Sequence, residues 1–188
     1  MNGFQEFFAV VSAVVLFLFG LQGFSRELQA VGGDALRSWL ERVTASRWRG
    51  FLLGALVTAI VQSSSAVTAL AVALVDANVI SFRASLGVLL GANVGSTSTG
   101  LIASLGMKPV ARATAMANFL FNAVGLLLYF PFLALFSRVM VDSFGGAALA
   151  VAWAHLTFNL TVGLLFLSTL GRVEHRLAAW FLAAHERS

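Results

Sequence analysis

The 188-residue chain is 59% hydrophobic and only 11% charged, with a mean hydropathy of +0.90, whereas about 25% of the residues of a soluble domain are charged. This balance excludes a water-soluble domain and predicts an all-α, polytopic membrane protein. The chain has no cysteine, which excludes a disulfide framework and a thiolate metal site. Its net charge of +4 indicates cytoplasmic loops rich in arginine and lysine. The sequence lacks the interleaved basic and aromatic residues that are typical of a nucleic-acid-binding surface.

The first two predicted elements are a membrane-spanning helix and an amphipathic helix. Residues 7–24 are apolar and long enough to cross most of the hydrocarbon. Because residues 1–6 lack the basic start of a signal peptide, we expect this helix to be retained. Residues 26–49 mix charged and apolar side chains at three- and four-residue spacing, which predicts a helix in the membrane interface. A solvated connector is the alternative.

Two uncharged segments follow, each with polar residues at its centre. Residues 50–75 are too long to sit straight in about 30 Å of hydrocarbon, and their midpoint falls in the run Gln62-Ser63-Ser64-Ser65. They form either one tilted helix or a re-entrant hairpin of two half-helices. Residues 84–106 centre on the stretch 91–100, where three glycines in ten residues predict a second broken helix.

Two full spans and a basic tail complete the predicted elements. Residues 113–136 and 147–170 are expected to cross the membrane, and residues 171–188 to lie along its cytoplasmic surface. With both polar-centred segments taken as re-entrant, 11 of the 12 basic residues fall on one side and Arg138 alone on the other. The positive-inside rule then places the amino terminus outside and the carboxyl terminus in the cytoplasm.

The two polar centres require a physical reason, because an unsatisfied polar group at membrane depth costs free energy. Hydroxyl and amide oxygens suit a hard cation such as sodium, while a helix that begins at such a run directs free N–H groups at an anion. In the alternative interpretation, the hydroxyls bond to their own helix and the small residues only allow close helix packing.

The positions of the charged residues bear on the coupling ion and on the class of protein. All eight carboxylates fall at segment ends or in loops, whereas a proton-coupled pump usually buries one. No lysine or arginine lies in the middle of a segment, so a bound anion would be held by helix N-termini, hydroxyls and a co-bound cation. This favours sodium as the coupling ion. An enzyme is the least favoured class, because nothing places a nucleophile beside His155, and we expect no cofactor.

At these residues the sequence resembles the sodium/phosphate cotransporter family. The stretch GALVTAIVQSSSAVT, residues 54–68, is similar to the family's QSSS run, and GANVGSTST, residues 91–99, is similar to its GANIGTT-like break. Two later phrases, NFLFNAVG at 118–125 and AHLTFNLTVG at 154–163, are similar to its HTLFN-like segments, although the first lacks the histidine.

The resemblance implies that phosphate and sodium bind at the QSSS run. The implied phosphate-binding residues are Gln62, Ser63, Ser64 and Ser65. The implied sodium-binding residues are Ser65, Thr68, Asn93, Ser96 and Thr97.

The resemblance also implies that this chain is one repeat of a two-repeat inverted transporter fold. Transporters of the family contain two inverted repeats, each with its own QSSS run, whereas this chain has one run. We therefore expect a shared site, completed by a second copy in a homodimer or by an oppositely oriented homologous chain. The strong charge bias disfavours insertion of one chain in both orientations.

The leading interpretation is a secondary symporter that moves inorganic phosphate with sodium. A non-transporting phosphate-binding or regulatory subunit is one alternative, and phosphate binding without flux would favour it. A passive anion pore is another, and its flux would not depend on a sodium gradient.

Overall fold

The computed structural model describes residues 3–185, which form seven α-helices and one short 3₁₀ turn, Ser104–Gly106, and contain no β-strand. The helices are α1 Gly3–Val43, α2 Arg47–Val61, α3 Ser64–Asp76, α4 Phe82–Ala103, α5 Pro109–Tyr129, α6 Leu133–Phe144 and α7 Ala147–His185. Four segments are long and apolar enough to cross a membrane: Gly3–Phe24, Phe82–Gly106, Pro109–Tyr129 and Ala147–Thr169. The predicted all-α membrane fold is confirmed.

The first helix continues through residues that the sequence divides into two elements. α1 bends at Gly33, whose φ of 46° and ψ of −145° suit a residue without a side chain. It ends at Val43, and a new helix begins after Ser46, whose Oγ accepts a hydrogen bond from the Arg49 N–H at 3.3 Å. The amphipathic element predicted over 26–49 is therefore divided between two helices, because this serine cap starts α2 at Arg47.

The polar centre of residues 50–75 separates two helices, so the single tilted helix is excluded. α2 ends at Val61 and α3 begins at Ser64. α3 returns beside α2, since Val57 of α2 and Leu70 of α3 line one apolar cavity of about 150 Å³. We call residues 47–76 the hairpin and residues 60–65 its tip.

α4 is one continuous helix, and the break predicted within 84–106 is wrong. Its glycines serve as contact points for α2 instead. A Cβ at Gly91 would overlap the carbonyl oxygen of Phe51, and a Cβ at Gly54 would overlap that of Val88. Small residues on both helices thus allow the two backbones to touch, and this packing keeps the glycine-rich stretch helical.

α2 and α4 run parallel to each other. Near their starts, a Cβ at Gly50 would lie 3.0 Å from the Ala84 carbonyl oxygen, and further along both helices Gly95 faces Ala55. α4 is the central helix of the bundle, with 12 of its 22 residues buried against its neighbours. The hairpin is therefore held against the most buried helix of the protein.

The second half of the chain packs α5 against α7. Gly125 of α5 faces Phe158 and Val162 of α7, and the Tyr129 hydroxyl lies 2.8 Å from that of Thr161. α5 ends at Tyr129 rather than at the predicted 136, because Pro131 cannot continue its hydrogen bonding. α7 continues past residue 170, so the predicted tail does not begin at a helix end.

Candidate functional site

The QSSS run forms the turn between α2 and α3, and two of its residues build that turn. Gln62 adopts the left-handed conformation, with φ 60° and ψ 21°, and its N–H donates to the Thr58 carbonyl at 2.7 Å. Its side-chain amide donates to the Ala59 carbonyl. Ser63 caps α3, since its Oγ accepts from the Ala66 N–H at 3.2 Å. Gln62 thus ends one helix and Ser63 starts the next.

The next two serines are free to meet a ligand. Ser64 and Ser65 are the first two residues of α3, so their backbone N–H groups have no partner within the helix. Ser65 is exposed and Ser64 is half-buried, and neither hydroxyl makes a hydrogen bond to any described residue. These groups offer hydrogen-bond donors to an anion at the positive end of a helix.

The end of α2 supplies hydrogen-bond acceptors at the same hairpin tip. The carbonyls of Ile60 and Val61 are in the last turn of α2, where the helix itself provides no N–H partner. Carbonyl and hydroxyl oxygens are the ligands that hard cations prefer. The tip therefore combines donors for an anion with acceptors for a cation within six residues.

Thr99 connects the tip to α4. Its Oγ1 lies 3.1 Å from Oε1 of Gln62 and 2.9 Å from the carbonyl of Ser96. Because the amide nitrogen of Gln62 is bonded to Ala59, both ends of the glutamine side chain are held. Thr99 belongs to the polar stretch 91–99 that the sequence singles out, but it is not among the implied sodium-binding residues, and its contact with Gln62 depends on how the helices pack.

The three predicted sodium-binding residues of α4 bond to their own helix. The Asn93 side chain donates to the Leu89 carbonyl at 3.0 Å, and the Ser96 and Thr97 hydroxyls lie 3.0 and 3.2 Å from the Asn93 carbonyl. Asn93 and Thr97 are buried, with exposed fractions of 3% and 8%. The structure forms no hydrogen bond between these three residues and the described tip, but their oxygens keep lone pairs for a cation.

Two threonines place buried oxygens without a partner close to the tip. The hydroxyls of Thr58 and Thr68 are buried and make no hydrogen bond within the described chain. Thr58 lies one helical turn before Gln62, and Thr68 lies one turn after Ser64. A buried unpaired hydroxyl costs free energy. A ligand that bonded to either threonine hydroxyl would remove this cost. Thr68 is a predicted sodium-binding residue, whereas Thr58 was missed, because its spacing from Gly50 and Gly54 indicates only helix packing.

The site is built from neutral groups. Within residues 3–185, no three histidine, aspartate or glutamate side chains come together as a candidate metal site. The QSSS run and Thr68 carry no charged side chain, and neither does the stretch 91–99. An anion at the tip would therefore meet helix ends and neutral polar groups rather than charged side chains of these two stretches.

The fold and this site define a multi-pass membrane protein with an oxygen-rich hairpin tip, and comparison with known proteins identifies its family. The profile of the Na+/Pi-cotransporter family matches residues 16–168. The chain belongs to this family, and the resemblance seen at the QSSS and GANVG stretches is confirmed.

Relatives occur in bacteria and animals. The chain is 31% identical over 128 residues to the uncharacterized protein YqeW of Bacillus subtilis (strain 168), covering 68% of this chain and 42% of YqeW. It is 27% identical over 157 residues to the human sodium-dependent phosphate transport protein 2B, covering 76% of this chain and 23% of that protein. It is 33% identical over 109 residues to YjbB of Escherichia coli (strain K12), named as a candidate inorganic phosphate export protein, covering 58% and 20%.

The chain is much shorter than these relatives. It spans less than half the length of each of the three relatives. No solved structure gives a significant match to the chain.

Proposed function

We propose that this protein is a secondary transporter that moves inorganic phosphate together with sodium, and that phosphate binds at the hairpin tip. The observation that carries the proposal is the pairing of unbonded N–H groups and hydroxyls at Ser64 and Ser65 with the free carbonyls at the end of α2. Ser63 adds a donor, because its hydroxyl accepts from Ala66 and keeps its own proton. Gln62 completes the phosphate-binding set.

Sodium supplies the positive charge that the tip lacks. Its proposed ligands are neutral oxygens from Ser65 and Thr68 on the hairpin and from Asn93, Ser96 and Thr97 on α4. Thr68 is the strongest of these, because its buried hydroxyl has no partner among the described residues and would gain one from the ion. Sodium beside the phosphate lowers the free energy of placing a charged anion in a low-dielectric bundle.

We infer that the hairpin enters and leaves the membrane on one side. α2 and α3 have 15 and 13 residues, which correspond to about 22 and 20 Å, and a crossing requires about 30 Å. Arg47 at the start of the hairpin and Arg83 at the start of α4 line one cavity, so the chain enters the hairpin and enters α4 at the same level. The tip then reaches into the membrane beside α4, to which the Thr99 hydroxyl joins it.

This topology changes the distribution of charge. A re-entrant hairpin and four crossings place both termini on the same side, unlike the orientation expected when 84–106 is also re-entrant. The basic residues then divide seven against five: those of residues 25–49 with Arg83 and Arg138 on one side, and the others on the opposite side. Such a small bias no longer opposes insertion in both orientations.

We therefore propose an antiparallel homodimer with a shared site. The tip leaves Gln62 and Ser65 exposed, and a second copy inserted in the opposite orientation would bring a second tip to them. Two inverted copies also give the two faces that alternating access requires. An oppositely oriented homologous chain could take the place of the second copy.

Flux measurements in liposomes test the transport proposal. Purified protein should accumulate labelled inorganic phosphate when sodium, but not potassium, is higher outside, and reversing the gradient should drive efflux. Gln62→Ala and Ser64→Ala should each lower this flux. Ser98→Ala is the matched control, because its hydroxyl donates to Val94 of its own helix at 2.7 Å.

The two alternative functions, a passive pore and a binding or regulatory subunit, predict different results in the same assay. Sodium-independent flux would replace the symporter with a passive pore, and phosphate binding without flux would indicate a binding or regulatory subunit. If Gln62→Ala and Ser64→Ala left sodium-driven flux unchanged, the tip would not be the phosphate site.

A further inference from the structure

A second polar cavity lies at the opposite end of the hairpin from the tip. Its volume is about 570 Å³, and the residues that line it include Thr44, Ser46, Arg47, Trp48, Ser81 and Arg83. They come from the turn before α2 and from the first turns of α2 and α4. The cavity lies about 22 Å from the tip, counting 1.5 Å for each residue of α2, so it is separate from the proposed transport site.

The side chains of this cavity carry positive charge without a matching carboxylate. None of its described lining residues is acidic. Arg83 is exposed and makes no ion pair or hydrogen bond with the described chain. Arg47 donates from Nη1 to the Phe130 carbonyl at 3.3 Å, with its guanidinium 5.1 Å from the centre of the Phe130 ring. Since an arginine has five N–H donors, Arg47 keeps donors for a ligand.

The backbone adds to this charge. Ser46 and Ser81 cap α2 and α4 through hydrogen bonds from the Arg49 and Ala84 N–H groups, at 3.3 and 3.1 Å. The first two N–H groups of each helix therefore have no partner within the helix. Because the two helices run parallel and touch at Gly50, their positive ends lie side by side at the cavity.

We propose that this cavity binds a phosphate group, either as the headgroup of an anionic phospholipid or as free inorganic phosphate. Arg83 and Arg47 provide charge-assisted hydrogen bonds, of which the guanidinium fork can make two to one phosphate. Trp48, 57% exposed, stands beside them as tryptophan does at membrane interfaces. Both ligands present the same oxygens, so the experiment has to separate the two sources.

Arg83→Gln is the test variant, because it removes charge without removing a contact made inside the described chain. Native mass spectrometry would measure phosphatidylglycerol retained by the purified protein, with phosphatidylcholine as the neutral lipid. Binding of labelled inorganic phosphate would be measured in a Gln62→Ala background, which weakens the tip. Arg138→Gln is the control, since Arg138 is an exposed arginine of α6 that is not among the described residues lining the cavity.

We expect Arg83→Gln to weaken binding of one of the two probes about ten-fold, as for loss of a hydrogen bond to a charged group, and Arg83→Lys to restore part of it. Loss of phosphatidylglycerol alone identifies the lipid, and loss of inorganic phosphate alone identifies the free ion. An unchanged melting temperature of Arg83→Gln would show that the fold is intact. If both probes bound Arg83→Gln as well as they bind Arg138→Gln, the cavity would not be a phosphate site.

Discussion

The Thr99 hydroxyl lies 3.1 Å from Oε1 of Gln62 and joins α4 to the hairpin tip across 37 residues of sequence. The other end of the same side chain donates to the Ala59 carbonyl. A glutamine held at both ends loses little conformational entropy when a ligand binds, so its geometry is set in advance.

Thr99→Val should weaken transport without disrupting the fold. Valine keeps the shape of threonine and removes the hydrogen bond to Gln62, so we expect sodium-driven phosphate flux to fall about three- to ten-fold, as for one hydrogen bond of moderate strength. Thr114→Val is the matched control, because that hydroxyl donates to Val110 on the exposed side of α5. Equal flux in the two variants would show that Thr99 does not position Gln62.

The hairpin turn could be predicted from sequence as one of two alternatives, because its chemistry is local. A glutamine followed by serines, at the midpoint of a segment too long to cross straight, contains both the helix stop and the cap that the structure uses. These residues account for the turn that the structure shows, but alone they do not exclude one tilted helix over residues 50–75.

The continuity of α4 could not be predicted in this way. Glycines in one segment indicate a break, and only the position of a second helix shows that Gly91 is a contact point for Phe51. The same limit applies to Thr99 and Thr58, whose proximity to the tip depends on how α2 packs on α4. Long-range packing, rather than local preference, decided these features.

Gly91→Ala tests the contact between α2 and α4. The added methyl group would overlap the Phe51 carbonyl, a backbone atom that cannot move aside alone, so we expect a loss of about 1–3 kcal/mol in stability. For a chain of this size that lowers the melting temperature by about 3–10 °C. Gly100→Ala is the control on the same helix, because nothing lies within 4 Å of its added Cβ. A melting temperature no lower than that of Gly100→Ala would contradict the close packing.

Thr68→Val separates a sodium ligand from a packing residue. Its hydroxyl is buried without a partner among the described residues, so without sodium the valine variant should be as stable as the wild type or more stable, by about 1 kcal/mol. A ligand that binds the folded protein raises its melting temperature, and this sodium-dependent rise should disappear in Thr68→Val. It should persist in Thr114→Val. A full sodium-dependent rise in Thr68→Val would remove Thr68 from the sodium site.

The proposed topology places Ala45 and Gly106 on opposite sides of the membrane, because α4 crosses between them. Both residues are exposed, and the chain has no cysteine, so Ala45→Cys and Gly106→Cys each introduce a single reactive thiol. In sealed vesicles of one orientation, a membrane-impermeant maleimide should label about half of each variant if copies insert both ways. Complete labelling of one variant and none of the other would keep the four crossings but exclude the antiparallel homodimer. Equal and complete labelling of both would show that α4 does not cross, and the basic residues would then return to the strongly one-sided distribution.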